Sequence, residues 1–435
     1  MKWLAGAVLL LAVALVFNLG LLAYAMYALL AVMLLSRALA WAWAENLAAT
    51  RECNRYSANV GDSVAVVITL ENRGWLPIPW VLVEDLLPRH ALLPPPPRLR
   101  VEGRRLQLAM LRGGGSRTLL YQLHCQARGY FQIGPLMLET GDLFGLYRRY
   151  RTVTTPHFLL VYPQVVPLEG YQIASRRPIG EVRMTYRLYE DPTRNAGIRQ
   201  YAPGDPLNRI HWRATARTGA LQSRVYEPST VAGATLILDF HQASYDPKDE
   251  PFRSELAITA AASLANTLYH LGQQAGLVTN GRDAADRIRR EGWDPDPRSR
   301  QAARQAASML DQTDRLQPVV VPTGRGPEQL MWILEALARL ELTDGLSLAE
   351  LVHETASRLP RDATVVVVLS SISPQSAVAL GNLRRRGFAV SALVNAYHVH
   401  EFERVAGPLA VEGIAAKQFK DRADIAGLCQ EYVLR

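Results

Sequence analysis

The pattern of apolar and polar positions changes twice along the chain, and the first segment is the most apolar. Residues 3–35 carry no charge, and only Asn18 and Gly20 interrupt the apolar run. As one helix this run would be roughly 50 Å long, against a hydrocarbon core of about 30 Å. The pattern therefore predicts a transmembrane hairpin that turns at these two residues. Its helices are expected over Trp3–Phe17 and Leu21–Leu35, with the second continuing toward Trp43.

The second segment has the short alternating runs of an antiparallel β domain. Runs rich in β-branched residues are separated by the prolines at 94–97 and the glycines at 113–115. Several short strands with turn signals at this spacing favour a β-sandwich-like domain over a parallel sheet. The predicted strands are Val64–Leu70, Trp80–Asp85, Arg104–Leu108, Ser116–Leu123 and Gln132–Glu139.

The third segment alternates continuous apolar runs with helical patterns. This alternation predicts a doubly wound α/β domain with a parallel sheet, whose ligands would bind beyond the carboxyl ends of the strands. Predicted strands are Ala234–Phe240, Ala275–Thr279, Ala363–Ser370 and Phe388–Val394. Predicted helices are Glu255–Leu271, Glu328–Leu340, Leu346–Arg358, Ser376–Arg386 and Asp421–Tyr432.

These patterns predict three domains. The transmembrane hairpin occupies residues 1–45 and the antiparallel β domain residues 50–165. Residues 166–435 form the remainder, with the α/β sheet beginning at about residue 234. The fold class is therefore multidomain.

Charge and cysteine content narrow the class of protein. The 435 residues include 48 Lys and Arg against 40 Asp and Glu, a net charge of +8. This excess suits an anionic membrane surface and is too small to predict nucleic-acid binding. Cys53, Cys125 and Cys429 are widely spaced, which excludes a disulfide scaffold or a zinc ribbon and predicts reduced thiols.

The basic residues that flank the hairpin predict its orientation. Lys2 lies on one side, and Arg37, Arg51 and Arg55 on the other. By the positive-inside rule, the bulk of the chain then faces the cytoplasm from the inner membrane. The alternative is a single signal anchor with the large domain outside the cell. For the hairpin, Trp3, Trp41 and Trp43 are expected near the membrane interface.

The densest motif lies between Gly197 and Gly219. Asp205 is a good helix N-cap, Pro206 suits the first helical position, and Gly219 suits the position after the helix. These signals predict a helix over Pro206–Thr218. Trp212 is expected to pack against the core.

Three arginines share one face of this predicted helix. Arg209, Arg213 and Arg217 are spaced four residues apart, so acidic groups are expected against them. Two sources of acid remain open. The first is internal, through Asp205, Glu190, Asp191 or Asp239, and the second is an acidic patch on a partner protein.

The same motif resembles the signature of the bacterial "domain of unknown function 58" family. The matching positions are Tyr201, Gly204, Asp205, Arg209, Trp212, Arg217 and Gly219, together with the neighbouring Arg199 and Arg213. Residues 128–135 and 141–146 also resemble that family. The resemblance implies an α/β domain similar to von Willebrand factor type A. It also implies a MoxR-type AAA+ ATPase, and a transglutaminase-like membrane protein, as partners.

Type A domains often hold Mg²⁺ through a D-x-S-x-S sequence after the first strand. The corresponding residues here are Asp239 to Ala243, in which His241 and Ala243 replace the two serines. One carboxylate is a poor ligand set for a hard cation, so Asp239 remains only a candidate metal ligand. His398 and His400 lack a third ligand in the sequence, so a polar loop is expected there.

The sequence therefore predicts a membrane-anchored, non-enzymatic protein that binds a partner protein and needs no cofactor. Nucleotide-binding and nucleophile-elbow motifs are missing from the sequence. Two alternatives remain open. One is a metal-dependent binder or enzyme that uses Asp239, and the other is an adhesion module exposed outside the cell.

Overall fold

The computed structural model describes residues 2–92, 96–168, 190–200, 210–228, 233–286, 316–360 and 364–428. The chain divides into two units. The first comprises Met1–Gln164, Arg282–Arg315 and Leu334–Glu341, and the second comprises Val165–Gly281, Leu316–Ile333 and Leu342–Arg435.

The first unit begins with two apolar helices, α1 (Lys2–Val16) and α2 (Gly20–Asn46). They are joined at Asn18, which adopts a positive φ of 52°, and they pack against each other. Small side chains such as Ala14 and Ala23 are buried, whereas large ones such as Leu21 are exposed. The second helix continues beyond the apolar run, as the sequence predicts.

Length and composition make α2 able to cross a membrane, whereas the apolar part of α1, Ala5–Val16, is shorter. An apolar helix that exposes its large side chains to water is unfavourable, and lipid would cover this surface. The N-terminal apolar helix therefore gives weak evidence of membrane anchoring.

The rest of the first unit is rich in antiparallel strands. One sheet has the strand order β1-β3-β7-β5 and a second has the order β10-β9-β4-β6, while β2, β11 and β8 form a third. A short helix, α3 (Arg89–Leu92), follows β4. The strands are β1 Leu47–Cys53, β2 Ser57–Asn59, β3 Ser63–Asn72, β4 Ile78–Asp85, β5 Leu99–Gly103, β6 Leu106–Leu111, β7 Ser116–Cys125, β8 Gly129–Ile133, β9 Leu136–Gly141, β10 Arg148–Thr152 and β11 His157–Tyr162.

Alternating side chains of these strands form one apolar core. Along β3 every second residue is buried, from Val64 to Leu70, which is the pattern of a strand with one face inward. Trp43, near the end of α2, belongs to the same core and is 6% exposed. Trp43 is therefore covered by protein side chains, because α2 ends inside the β domain.

One predicted strand is divided in two. The run Gln132–Glu139 was expected to be continuous, but β8 ends at Ile133 and β9 begins at Leu136. Gly134 adopts a φ of +85° and Pro135 has no amide hydrogen, so neither can extend a regular ladder.

The second unit contains a six-stranded sheet with the order β17-β15-β14-β19-β20-β21. Numbered by their sequence, these strands have the spatial order 3-2-1-4-5-6, a doubly wound α/β arrangement. All pairings are parallel except that of β17 with β15. The strands are β14 Gly233–Leu238, β15 Gln274–Thr279, β17 Val319–Gly324, β19 Thr364–Leu369, β20 Val390–Asn395 and β21 Ala415–Phe419.

Two short ribbons and a set of helices complete the described residues. β12 (Glu190–Gln200) pairs with β13 (Gln222–Pro228), and β16 (Arg282–Asp283) pairs with β18 (Leu340–Glu341). The helices are α4 Trp212–Thr218, α5 Phe252–His270, α6 Pro327–Arg339, α7 Leu348–Thr355, α8 Pro374–Arg385, α9 Val399–Val411 and α10 Arg422–Ala426, with a 3₁₀ turn at Gln242–Ser244.

Several details of this unit differ from the predictions, and the last strand, β21, was not predicted. The antiparallel edge strand β17 was not predicted, because Pro322 interrupts its apolar run and proline is disfavoured within a strand. The polar loop expected at His398–Glu401 is instead the start of α9, with His398 at its N-cap. The final helix is described only over Arg422–Ala426, and the residues from 429 lie outside the described part of the chain.

Candidate functional site

The described end of the central motif is the short helix α4, which lies between β12 and β13. His211 is its N-cap and accepts the amide hydrogen of Ala214 at Nδ1, at 3.1 Å. Gly219 follows with a φ of +69° and donates its amide to the carbonyl of Thr215. The glycine therefore acts as the C-terminal signal that the sequence predicts.

The helix is shorter than predicted. It begins at Trp212 and not at Pro206, because the preceding Ile210 forms a β-bridge with Ser223. Arg199 lies in β12 and pairs with Ser223 through the backbone. The remaining predicted site residues, Tyr201, Gly204, Asp205 and Arg209, lie outside the described residues.

Most side chains of α4 face solvent, whereas Ala214 and Thr215 are half-buried. None of its seven residues is buried, and Trp212 is 67% exposed. The prediction that Trp212 packs against the core is therefore wrong. Arg213 and Arg217 are exposed one turn apart, and neither has an ion-pair partner among the described residues. The helix presents an indole beside two guanidinium groups, which we call the Trp-Arg face (Trp212, Arg213 and Arg217).

Asp239 occupies a different position, just beyond β14 at the carboxyl edge of the sheet. Its Oδ2 accepts from the Ser244 hydroxyl at 2.6 Å, and its Oδ1 accepts from Asn280 Nδ2 at 2.8 Å. Asn280 in turn accepts the amide of Phe240 at 2.6 Å, and the Tyr245 hydroxyl donates to the Asp239 carbonyl at 2.8 Å. Both carboxylate oxygens are thus already bonded within the protein.

Burial favours the protonated form of this carboxyl group. Asp239 is 2% exposed, and desolvation raises its pKa above the ordinary value of 3.8, although hydrogen bonds from Ser244 and Asn280 lower it in part. Its described bonding partners are neutral amide and hydroxyl groups. Among the residues that the structure describes, no cluster of three or more His, Cys, Asp or Glu side chains could hold a metal ion. Asp239 is therefore a buried residue whose hydrogen bonds connect the segments after β14 and β15.

Ser244 and Asn280 lie in the strand-end segments Asp239–Ser244 and Thr279–Asp283, where the sequence predicts ligand binding, but their bonds to Asp239 were not predicted. Asn280 follows β15 directly, as Asp239 follows β14, so the two side chains meet because parallel strands end at the same edge. Asn395, the last residue of β20, donates to the carbonyl of Arg253 at 2.7 Å. Polar residues at or immediately after the ends of buried strands were therefore the available signal.

A second polar cluster surrounds Arg253 at the same edge. The Arg253 guanidinium contacts Glu401 at 2.5 Å and Asp249 at 3.5 Å, and it lies 4.6 Å from the centre of the Tyr397 ring. His398 and His400, which follow Tyr397 in the sequence, stack their rings with the centres 5.3 Å apart. Since Glu401 is engaged by Arg253, it completes an internal ion pair and is not a free metal ligand.

A chain of three side chains crosses the β domain surface. Ser63 Oγ lies 2.7 Å from His124 Nδ1, and His124 Nε2 lies 2.6 Å from Glu102 Oε2. These residue types occur in hydrolases, but the three residues sit on neighbouring strands β3, β7 and β5. The Glu102 side chain is 70% exposed, so its charge is screened by solvent. This arrangement is that of a cross-strand surface ladder.

The structure gives the motif at residues 128–135 a structural role. Arg128 Nη1 donates to the carbonyls of Leu337, Ala338 and Leu340, at 2.9, 3.3 and 2.8 Å. Gly134 leaves space for the Arg51 guanidinium, because a Cβ at this position would lie 1.8 Å from Arg51 Nη1.

Comparisons with known proteins agree with this part of the sequence. Residues 197–314 match the family model "Protein of unknown function DUF58", which begins at the same glycine as the central motif. The chain is also similar to "Uncharacterized protein YeaD" of Bacillus subtilis, with 25% identity over 236 residues. That alignment covers 54% of this chain and 56% of the relative, so the chain spans little more than half of YeaD.

Similarities to solved structures are weak. The CARDB domain of a Pyrococcus furiosus protein matches with a TM-score of 0.19 and 10% identity, covering 26% of this chain and 86% of that domain. Proximal thread matrix protein 1 from the mussel byssus matches with a TM-score of 0.27 and 11% identity, covering 45% of each chain.

Proposed function

We propose that this chain is a membrane-anchored, non-enzymatic protein that binds a partner protein through the Trp-Arg face. The observation that carries the proposal is that α4 buries none of its side chains and leaves Trp212 exposed beside Arg213 and Arg217. Tryptophan and arginine are the residue types that contribute most to protein interfaces. A helix of two turns gains little stability by itself, and this one contacts β13 on one side only, so its exposed indole suits a surface that is covered on binding.

The charge of this face indicates the chemistry of the partner. Arg213 and Arg217 are exposed without an acidic partner among the described residues, so carboxylates from another protein would pair with both guanidinium groups. We propose an acidic patch on a MoxR-type AAA+ ATPase as this partner. The support for the ATPase comes from the motif's resemblance to its family, and a transglutaminase-like membrane protein is a further partner in the same proposal.

The α/β domain is proposed to be similar to von Willebrand factor type A. Its support is the 3-2-1-4-5-6 strand order with an antiparallel third strand. Such a domain would present α4 on a rigid support, while α1 and α2 hold the chain at the inner membrane. We propose that the bulk of the chain faces the cytoplasm, on the basis of the basic residues that flank the hairpin.

The test is binding of the purified full-length protein, in nanodiscs, to the MoxR-type ATPase of the same organism. Trp212→Ala and Arg213→Glu should each weaken binding at least tenfold without changing the melting temperature, because both side chains are exposed. Arg358→Glu is the matched control, since Arg358 is an exposed arginine elsewhere in the second unit. Equal binding by all three variants, or an equal loss in the control, would overturn the proposal.

A further inference from the structure

Three loops of the β domain lie together at one end of its strands. Asn72 Nδ2 donates to the carbonyls of Leu76 and Arg112, at 2.8 and 3.0 Å, which joins the β3–β4 loop to the β6–β7 loop. Trp80 Nε1 approaches the carbonyl of Asp142 at 3.4 Å, which places the β9–β10 loop beside them. These three loops are residues 73–77, 112–115 and 142–147.

The membrane helix α2 enters the β domain at this same end. The Arg73 amide donates to the carbonyl of Asn46 at 2.8 Å, and Leu47 pairs with Asn72 as the chain enters β1. α2 also packs against β9 and β10, and Ser36 and Ala40 on this helix are buried. The loop end of the domain therefore faces the apolar part of the chain.

The tip of the β9–β10 loop and the end of the apolar run can both be located by their distance along α2 from its last turn. Arg151 Nη1 holds the end of α2, donating to the carbonyl of Ala44 at 2.9 Å. From Arg151 to Arg148 the strand covers roughly 10 Å, and the loop extends further. The last eleven residues of α2, after Leu35, cover roughly 16 Å. The tip of the loop therefore lies close to the level at which the apolar run ends.

The side chains at this end are unusually apolar for a surface. Trp75 is 85% exposed, Phe144 69%, Leu143 68% and Leu146 51%. The Asp142 carboxylate accepts the amides of Phe144 at 3.1 Å and Tyr147 at 2.6 Å, so it satisfies backbone donors within the loop. A loop whose amides are bonded internally can place its apolar side chains in a poorly hydrated layer.

Basic residues surround these apolar tips. Exposed arginines at this end are Arg37, Arg73, Arg112, Arg148 and Arg149. The acidic groups that face them are Glu45, Glu71 and Glu139, of which Glu71 lies 3.8 Å from Arg73 and Glu139 lies 3.5 Å from Arg148. The excess is basic, and each arginine near an anionic bilayer contributes about 1 kcal/mol of attraction.

From this arrangement we infer that the loop end of the β domain rests on an anionic lipid surface, with Trp75, Leu143, Phe144 and Leu146 in its interfacial layer. Indole and apolar side chains ringed by arginines are the composition of an interfacial membrane contact. The surface is continuous with α2, so the same bilayer that holds the helix meets the loops. The inference rests on the proposed membrane anchoring and adds a second, peripheral contact that fixes the orientation of the domain.

The test uses the full chain in vesicles of phosphatidylcholine and phosphatidylglycerol. In a background of Cys53→Ser, Cys125→Ser and Cys429→Ser, a fluorescent label is attached through one introduced cysteine. The three labelled variants are Phe144→Cys at the loop tip, Val32→Cys within α2, and Leu106→Cys. Leu106 is an exposed apolar residue that pairs with Glu84, near the opposite end of the domain.

Brominated lipids should quench the labels at 144 and 32 and leave the label at 106 unquenched. Arg149→Glu, or vesicles of phosphatidylcholine alone, should reduce quenching at 144 without changing it at 32. Quenching at 32 with none at 144, or equal quenching at 144 and 106, would overturn the lipid contact while the anchor stands. No quenching at 32 would instead overturn the proposed anchoring.

Discussion

Arg51 and Asp85 form an ion pair inside the β domain, with Arg51 Nη1 2.8 Å from Asp85 Oδ1 and both side chains completely shielded from solvent. The Tyr121 hydroxyl donates to the other carboxylate oxygen at 2.7 Å, and Arg51 Nη2 donates to the carbonyl of Thr155 at 2.8 Å. The two residues join β1, the first strand after α2, to the second sheet. Arg51 therefore belongs to the domain interior, although its sequence position suggested a flanking charge.

Removing one member of this pair should destabilise the β domain strongly. Asp85→Ala leaves the Arg51 guanidinium buried without its counter-charge, and we expect a loss of about 3–5 kcal/mol. Hydrogen exchange of the amides in β3 and β7 would measure it in the full chain. The double variant Arg51→Met with Asp85→Leu should recover part of this loss, because it removes both charges. A double variant as unstable as Asp85→Ala would contradict this explanation.

Gly134 should tolerate no side chain, for steric reasons. A Cβ there would lie 1.8 Å from Arg51 Nη1, and φ is +85°. Gly145 has a similar φ of +72° but no atom within 4 Å of a Cβ, so Gly145→Ala isolates the backbone effect. We expect Gly145→Ala to cost about 1 kcal/mol. Gly134→Ala should cost several times more, because the buried ion pair must also shift. Thermal unfolding of the two variants would compare them, and equal melting temperatures would exclude the steric clash.

The buried carboxyl group of Asp239 should make stability depend on pH. Because burial raises its pKa in the folded state above 3.8, the native protein retains a proton that the unfolded chain releases. Its contribution to stability is therefore fully present below 3.8 and is lost as the pH rises through the folded-state pKa.

Asp239→Asn should remove this dependence. An amide can still accept from Asn280 and donate to Ser244, and it cannot ionise. Relative to Asp239→Asn, the wild-type protein should lose stability as pH rises from 4 toward neutrality. Urea unfolding of the protein, followed through the amides of the second unit, would measure this difference. Asp344→Asn, at an exposed position, serves as the control and should follow the wild type. A constant difference between wild type and Asp239→Asn at all pH values would contradict the prediction.

The side of the membrane on which Arg435 lies can be tested by fusion to reporter proteins. If the hairpin returns both its ends to the cytoplasm, alkaline phosphatase fused after Arg435 should be inactive and a green fluorescent protein at the same position should be fluorescent. The reason is that Lys2, Arg37 and Arg55, which flank the hairpin, retain its ends on that side. Phosphatase activity at this position would favour the single signal anchor and the external adhesion module.

Much of the fold was predictable because its signals are local. A pattern within one segment was enough to predict several elements. Examples are the alternation of apolar residues in β3, the continuous apolar runs of β14 and β19, and the helical periodicity of α5. Gly219 was predictable for the same reason, since a helix end needs only one residue that accepts a positive φ. The start of α4 was not, because Ile210 is held as a β-bridge by Ser223, thirteen residues away.

The sequence by itself determined that the chain begins with an apolar segment, continues into β structure and ends in an α/β sheet, because hydrophobic periodicity is set by neighbouring residues. Only the tertiary structure decided that Trp43 and Arg51 are interior residues and that Trp212 is exposed. It also brought Asp239 to Asn280 and gathered Trp75 with Phe144 at one end of the β domain. Burial and long-range pairing depend on which surfaces pack together in the folded chain. The local sequence pattern around a residue does not indicate which distant residues it will contact.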